Sequence, residues 1–188
     1  MSREDELRAS AVGKLQALSG PIEIADYDPG WPDLFRREAD RIRATLGERA
    51  LQIEHVGSTS VPGLAAKPVI DILLVVADSA DEDAYVAPLE AVGYVLRIRE
   101  PDWHEHRVLK GPDTNVNLHV FSSASDEIER MLIFRDRLRS HESDRLLYER
   151  SKRELAQRSW VYVQDYADAK SEVVEAIISR AGGDRNAQ

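Results

Sequence analysis

The sequence contains no cysteine. Disulfides, cysteine-ligated zinc and thiol nucleophiles are excluded with it. Long apolar runs are also missing. The best candidate, residues 69–77, falls far short of the roughly 20 residues that cross a bilayer. The opening stretch MSREDELRAS is charged and carries no hydrophobic signal region. The expected setting is the cytoplasm, away from membranes. Basic charge is in deficit: 25 Lys and Arg stand against 34 Asp and Glu, a net charge of −9. Binding along long nucleic acid, which wants a basic face, is not expected. A small anionic ligand held in a local basic pocket is compatible with this balance. No internal repeat and no low-complexity tract is present. With 188 residues, 43% apolar, the chain can build one domain with a proper core.

What is present centres on HVGSTSVPGLAAKPVIDILLVV, residues 55–76. It reads as a strand, a small-residue turn and a second strand. The second strand is apolar except for Asp71. A carboxylate in such a run is costly unless a cation meets it. Asp71 therefore either pairs with Lys or Arg, or sits at a strand end facing a cleft and holds a metal ion. Upstream, Gly57, Ser58, Thr59 and Ser60 offer backbone N–H groups and hydroxyls suited to phosphate oxygens. A phosphate-holding turn followed by a strand-borne acid is the core of a nucleotidyltransferase site. That signature normally has a second acid two residues on, so that both carboxylates share one strand face and hold the metal ions that bridge a triphosphate. Here that position is Leu73.

Elsewhere the periodicity predicts helices over 3–18, 31–46, 81–91, 126–140, 143–157 and 165–181. It predicts strands over 22–26, 51–56, 69–76 and 94–98, and a hairpin of 104–110 with 115–121. One short helical turn is expected after Pro62, and disorder over 182–188. Asp28 is a candidate cap for the second helix. The order, a mixed sheet over about 21–125 followed by helices over 126–181, is an α+β pattern. The first helix, over 1–20, either packs on the rest or serves a homodimer, which is left open.

Several polar residues could replace the missing acid. Asn115, Asn117 and His119 alternate onto one face of their strand, and His104 and His106 are spaced likewise on the preceding one. Asp71 with His119 reads as a metal pair, with His55 or His106 as further candidates. Taken singly, each histidine reads as a hydrogen-bonded strand residue on a solvated face. Convergence of His55, His104, His106 and His119 would instead suit a metal phosphohydrolase. Lys67 either reaches a phosphate or neutralises Asp71. Arg97, Arg99, Arg107 and Lys110 form a local basic excess. In the helical half Arg135, Tyr148, Lys152, Tyr166 and Lys170 stand out, either closing a cleft or lying as ordinary surface and packing residues.

The chain resembles the GrpB family. The resemblance spans about 22–178 and rests on YDPGW (27–31), residues 55–76, NLHVF (117–121), FRDRLRSH (134–141), YERSKRELA (148–156) and YADAKSEVVEAI (166–177). It implies one domain over 1–188 with a polymerase-beta-like mixed sheet, flanking helices and C-terminal helices. Family members typically follow the aspartate with Ile and an apolar residue, so Leu73 is a family trait. Some members are fused to a dephospho-coenzyme A kinase domain, which implies a nucleotide-related role. The expectation is transfer of a nucleotidyl or phosphoryl group to a small molecule with a divalent metal, Mg or Mn. Asp71, His119 and Lys67 would be catalytic, with Asp71 and His119 on the metal. Gly57, Ser58, Thr59 and Arg107 would hold phosphate, and Asn117, His55 and Lys170 would face the substrate. The alternative is a binding module for a nucleotide or coenzyme precursor that has lost catalysis.

Overall fold

The computed structural model describes residues 2–15, 17–18 and 20–185. Five strands form its centre: β1 (Gln52–Val56), β2 (Ile70–Val76), β3 (Val95–Glu100), β4 (His106–Lys110) and β5 (Val116–Ser122). They lie in the order β1-β2-β5-β4-β3. β2 and β5 run parallel, and the other pairs are antiparallel, so the sheet is mixed. β2 is flanked by strands and covered on both faces, and this explains why it reads as an unbroken apolar run.

The helices are α1 (Arg3–Ser10), α2 (Trp31–Leu46), α3 (Val86–Ala91), α4 (Glu127–Ser140), α5 (Glu142–Ala156), α6 (Val163–Asp168) and α7 (Ser171–Arg185). One sheet face presents Ile70, Ile72, Leu74, Leu118 and Val120 to a core shared with Trp31, Ile42 and Leu46 of α2 and Leu89 of α3. The other face presents Val56, Leu73, Val75 and Phe121 to Ile128, Met131 and Leu132 of α4. α4, α5 and α7 meet in a third cluster through Leu138, Tyr148 and Ile177, which also takes Val61 and Leu64 from the β1–β2 connection. The α+β order read from the sequence holds: sheet first, helices after. Among the described residues no helix is long and apolar enough to cross a membrane.

The structure corrects several boundaries. The helix expected over 3–18 stops at Ser10, because Ala11 bridges Ile98 and the Val12 N–H donates to the Arg97 carbonyl at 2.8 Å. Only Leu7 of α1 is buried, too narrow a stripe to extend the helix. Residue 16 of that stretch, and residue 19 just after it, lie outside the described residues. The strand expected over 22–26 reduces to a single bridge between Ala25 and Ala66. The turn of helix expected after Pro62 comes earlier, over Ser58–Ser60, where the Ser60 hydroxyl ties back to the Gly57 carbonyl at 2.6 Å. Asp28 does not cap α2 with its side chain; it accepts from the Gly30 N–H at 2.7 Å. His104 is not on a strand, since it and Glu105 take positive φ in the β3–β4 turn.

The helix expected over 165–181 is two helices, α6 and α7, joined at Ala169 and Lys170. The Lys170 N–H bonds the Ala167 carbonyl, a tightened turn that ends α6. The break lets Tyr166 pack with Ile22 and Leu155 while Ile177 packs with Leu138 and Tyr148. Of the tail expected to be disordered, 182–185 continues α7, and 186–188 lies outside the described residues.

Candidate functional site

Asp71 is the second residue of β2, and the pairing of strands decides what surrounds it. It stands opposite Val56 of β1 and Asn117 of β5, and Leu73 stands opposite His119. Lys110 of β4 is opposite Asn117. Paired positions share a sheet face, so Asp71, Asn117, His119 and Lys110 lie on the face that α4 covers only in part. The Asp71 side chain keeps 27% of its surface and that of His119 23%. Both are reachable from outside.

The turn that precedes β2 touches this carboxylate. Gly57 has φ +68°, and a Cβ there would lie 2.5 Å from Asp71 Oδ2. Only glycine fits both that backbone region and that approach. The bend and the acid expected from sequence to form one site are therefore in direct contact. Ser58, half-buried, opens the short helical turn that follows.

A polar chain crosses the sheet and ends at Asp71. Glu100 Oε2 lies 2.7 Å from His106 Nδ1, and His106 Nε2 lies 3.0 Å from His119 Nδ1. His119 Nε2 then faces Asp71 Oδ1 at 3.5 Å. On the far side Asn117 Nδ2 donates to the same Oδ1 at 2.9 Å, and its amide oxygen accepts from Lys110 Nζ. Burial pushes the His106 imidazole down to about 4 despite its bond to Glu100, so this ring is neutral at pH 7. A neutral ring has one N–H. His106 gives its N–H to Glu100 and must accept from His119 Nδ1–H. His119 Nε2 is thereby the ring nitrogen left facing the Asp71 carboxylate across 3.5 Å. A proton on Nε2 or a cation between the two atoms would join them.

Asp71 is held in its charged form. Burial alone would raise its carboxyl, but bonding to His119 and Asn117 and the charge of Lys170 outweigh this and hold it below the usual range. Lys67 and Lys110 are both pushed down, first by burial, and both are pulled back up by the charge of Asp71. Three half-buried lysines thus surround one carboxylate in an acidic protein. Lys170 sits at the α6–α7 joint with Nζ 4.6 Å above the Tyr166 ring.

Behind them lies a fourth lysine. Lys152 is 2% exposed, donates to the Ala65 carbonyl and stands 4.8 Å from the Tyr148 ring centre. Burial, with Lys170 nearby, pushes it down to about 7. In the unfolded chain it stays charged to about 10.5. Below pH 7 the full cost of burying the charge opposes folding, and the cost falls as pH rises from 7 towards 10.5 because the folded lysine loses its proton first. Lys152→Met is therefore expected to be the more stable protein at pH 6, by about 2–3 kcal/mol, with the difference shrinking by pH 9.5. Denaturant unfolding of both proteins across this range checks the sign.

Other predicted residues lie elsewhere. His55 points to the opposite face, opposite Ile72, stacked on Phe35 at 4.8 Å and 3.0 Å from the Thr59 hydroxyl. Burial holds it down to about 4. Thr59 is 1% exposed and donates to the Val69 carbonyl, so its hydroxyl ties the turn to β2 rather than facing a phosphate. Arg107 is also on the far face, where it and Arg99 grip Glu82. Burial opposes this, yet the Arg99 and Arg107 bonds bring the Glu82 carboxyl down to about 2. His104 stands 3.2 Å from Asp126, apart from the His106–His119 pair. The four histidines therefore do not converge. Lys110 and Glu100 belong to the site and sequence reasoning undervalued them. Alternation from Asn117 across the hairpin could have found Lys110; nothing in the sequence marked Glu100.

Among the described residues no group of three or more His, Cys, Asp or Glu side chains is placed to hold a metal ion. Leu73 is fully buried among Val56, Val75 and Phe121, so no second acid hides there. Two candidate ligands remain, Asp71 and His119. Ligands bound at about 2.1 Å to one ion stand about 3–3.4 Å apart, close to the 3.5 Å gap between Asp71 and His119. The Glu100–His106 pair orients His119 as outer partners orient metal-binding histidines. Asp71 and His119 are thus the two side chains that would hold a divalent cation if one binds here.

A mixed five-stranded sheet with a glycine-serine turn against a strand-borne acid defines a nucleotidyltransferase-type fold. The structure of the Cid1 poly(U) polymerase with MgGTP bound aligns over 72% of this chain and 45% of that one, with TM-score 0.53 and 13% identity, a likeness of fold. The family described as GrpB protein matches residues 21–180, and the chain belongs to that family. It is 64% identical to the UPF0157 protein BH1888 of Halalkalibacterium halodurans, over 95% of this chain and 91% of the relative. The crystal structure of conserved protein GrpB from Enterococcus faecalis matches with TM-score 0.73 and 32% identity, covering 85% of this chain and 96% of that one.

Proposed function

We propose that this protein holds nucleotide phosphates and one divalent cation at Asp71 and His119, and transfers a nucleotidyl or phosphoryl group to a small acceptor. The observation that carries this reading is the approach of His119 Nε2 to the Asp71 carboxylate, 3.5 Å apart and both reachable from outside. The cation, when bound, supplies charge neutralisation and orientation of the phosphates. One imidazole and one carboxylate favour manganese over magnesium, which prefers oxygen ligands alone. Lys67, Lys110 and Lys170 offset the charge that develops on the transferred group. Ser58 and the bend after Gly57 face the same phosphates, and Asn117 fixes Asp71. Arg107, His55 and Thr59 drop out of the catalytic set. A cavity of about 500 Å³ includes Lys170 and Trp103, and Trp103 packs edge-on against His106 at 5.1 Å. The acceptor enters there.

Leu73 favours a second reading, in which the nucleotide or a coenzyme precursor binds without turnover. A thermal-shift screen of nucleotides and coenzyme A precursors, with and without magnesium and manganese, tests both. A ligand bound only by the folded form raises the melting temperature. A rise that requires metal, accompanied by product formation, supports transfer. A metal-independent rise without turnover supports the binding module. No rise at millimolar nucleotide with metal ends both.

A further inference from the structure

A second cavity, of about 700 Å³, lies at the β1 edge of the sheet between α2, α4 and the start of α5. Asp71 and His119 take no part in its lining. Its walls carry Arg36, Arg135, Arg139 and Arg145 against a single carboxylate, Glu54. In a chain of net charge −9 such a concentration is not background. Arg135 is spoken for, with Glu54 at 2.8 Å and Asp136 at 2.8 Å. Arg36 pairs with Asp33.

Arg139 and Arg145 are different. Arg139 spends Nε and Nη2 on the Ser60 carbonyl, at 3.0 and 2.8 Å, with Asp136 only at 3.7 Å. Burial and the neighbouring Arg135 both push its guanidinium down from the ordinary arginine value. Arg145 Nη1 reaches the carbonyls of Leu138 and Arg139, at 3.1 and 3.4 Å. Carbonyl dipoles compensate a partly desolvated cation less well than an anion does. Repulsion between Arg135 and Arg139 is a cost of folding that an anion in the cavity would remove. The remaining wall is aromatic: Tyr27 and Phe35 line it, the latter fixed by its stack on His55. The volume suits a small molecule rather than an ion alone.

We propose that this cavity binds a small phosphate monoester carried on an aromatic ring. The phosphate lies between Arg139 and Arg145, where it accepts from the guanidinium N–H groups not given to backbone carbonyls. The ring lies against Phe35 and Tyr27. The site is separate from the one at Asp71 and needs no metal. It is joined to it mechanically, because Arg139 holds the Ser60 carbonyl and the Ser60 hydroxyl holds the Gly57 carbonyl at 2.6 Å.

Phenyl phosphate is the probe, with phenol and inorganic phosphate as partial ligands, followed by calorimetric titration and melting temperature in the presence of a chelator. Wild type is expected to bind phenyl phosphate at millimolar concentration or better and more tightly than either partial ligand. Arg145→Met, which leaves the Arg139–Ser60 contact in place, is expected to weaken it at least about tenfold. Asp71→Asn is expected to bind it as wild type does, which separates this site from the nucleotide reading. A folded Arg139→Lys protein should also bind more weakly, since an ammonium cannot fork. No binding by wild type overturns the proposal, as does equal binding by Arg145→Met. Loss of binding in Asp71→Asn but not in Arg145→Met overturns it too, by placing the phosphate at the other site.

Discussion

Asp71→Asn is expected to lower metal-dependent nucleotide turnover by at least about 100-fold, since removing a group that stabilises transition-state charge typically costs 10²–10³. The amide keeps the shape of the side chain. It still fits under Gly57, but it carries no charge for a cation or for the surrounding lysines. Lys67 and Lys110 lose the one anion that holds their charge up, so both should titrate at lower pH in the variant. The metal-dependent rise in melting temperature with nucleotide should vanish as well. Assays of turnover and melting on the same preparations check this, with Arg3→Ala as a control. Arg3 pairs with Asp165 and Asp168 on the surface and is not among the residues placed at the site.

Gly57→Val carries the largest expected effect on stability. The backbone there is at φ +68°, and the new Cβ would meet Asp71 Oδ2 at 2.5 Å and Asp71 Cβ at 3.0 Å. The obstacle on Asp71 sits close to the β2 backbone, so it cannot swing aside as a flexible chain end would. Strain at a β-branched residue with positive φ and overpacking together should cost about 3–5 kcal/mol. Chemical denaturation measures it. A Gly63→Val change is the comparison: φ is +77° there too, but nothing lies within 4 Å of its Cβ. The excess cost at 57 over 63 is the part owed to contact with Asp71.

The sequence was most informative where one residue pattern settles one element. The apolar stripe from Trp31 and the glycine at 47 place α2 at its observed ends, Trp31–Leu46. The apolar run with a lone acid places β2 and makes Asp71 the centre. Alternation put Glu54 and His55 on opposite sides of β1, as found. It did not say which side Asp71 shares, because that depends on register: Val56, not His55, stands opposite Asp71. The same ambiguity misplaced Arg107, whose neighbours His106 and Lys110 take the site face. His104 was read as a strand residue because the WHEHRV alternation hides a turn made by two non-glycine residues at positive φ. The split between α6 and α7 has no breaker residue to announce it. Packing of Tyr166 and Ile177 into separate clusters decides it, and long-range contacts of that kind leave no local trace.

The pairing of Asp71 with His119 around a cation is most directly tested by titrating Mn²⁺, followed by electron paramagnetic resonance, into the protein with a saturating nucleoside triphosphate. Wild type should bind one Mn²⁺ beyond what the nucleotide alone binds in solution. His119→Ala should bind it at least about tenfold more weakly, in line with losses seen when the support of a metal site is removed. Equal Mn²⁺ binding by wild type, His119→Ala and Asp71→Asn, or none by wild type, would contradict the account.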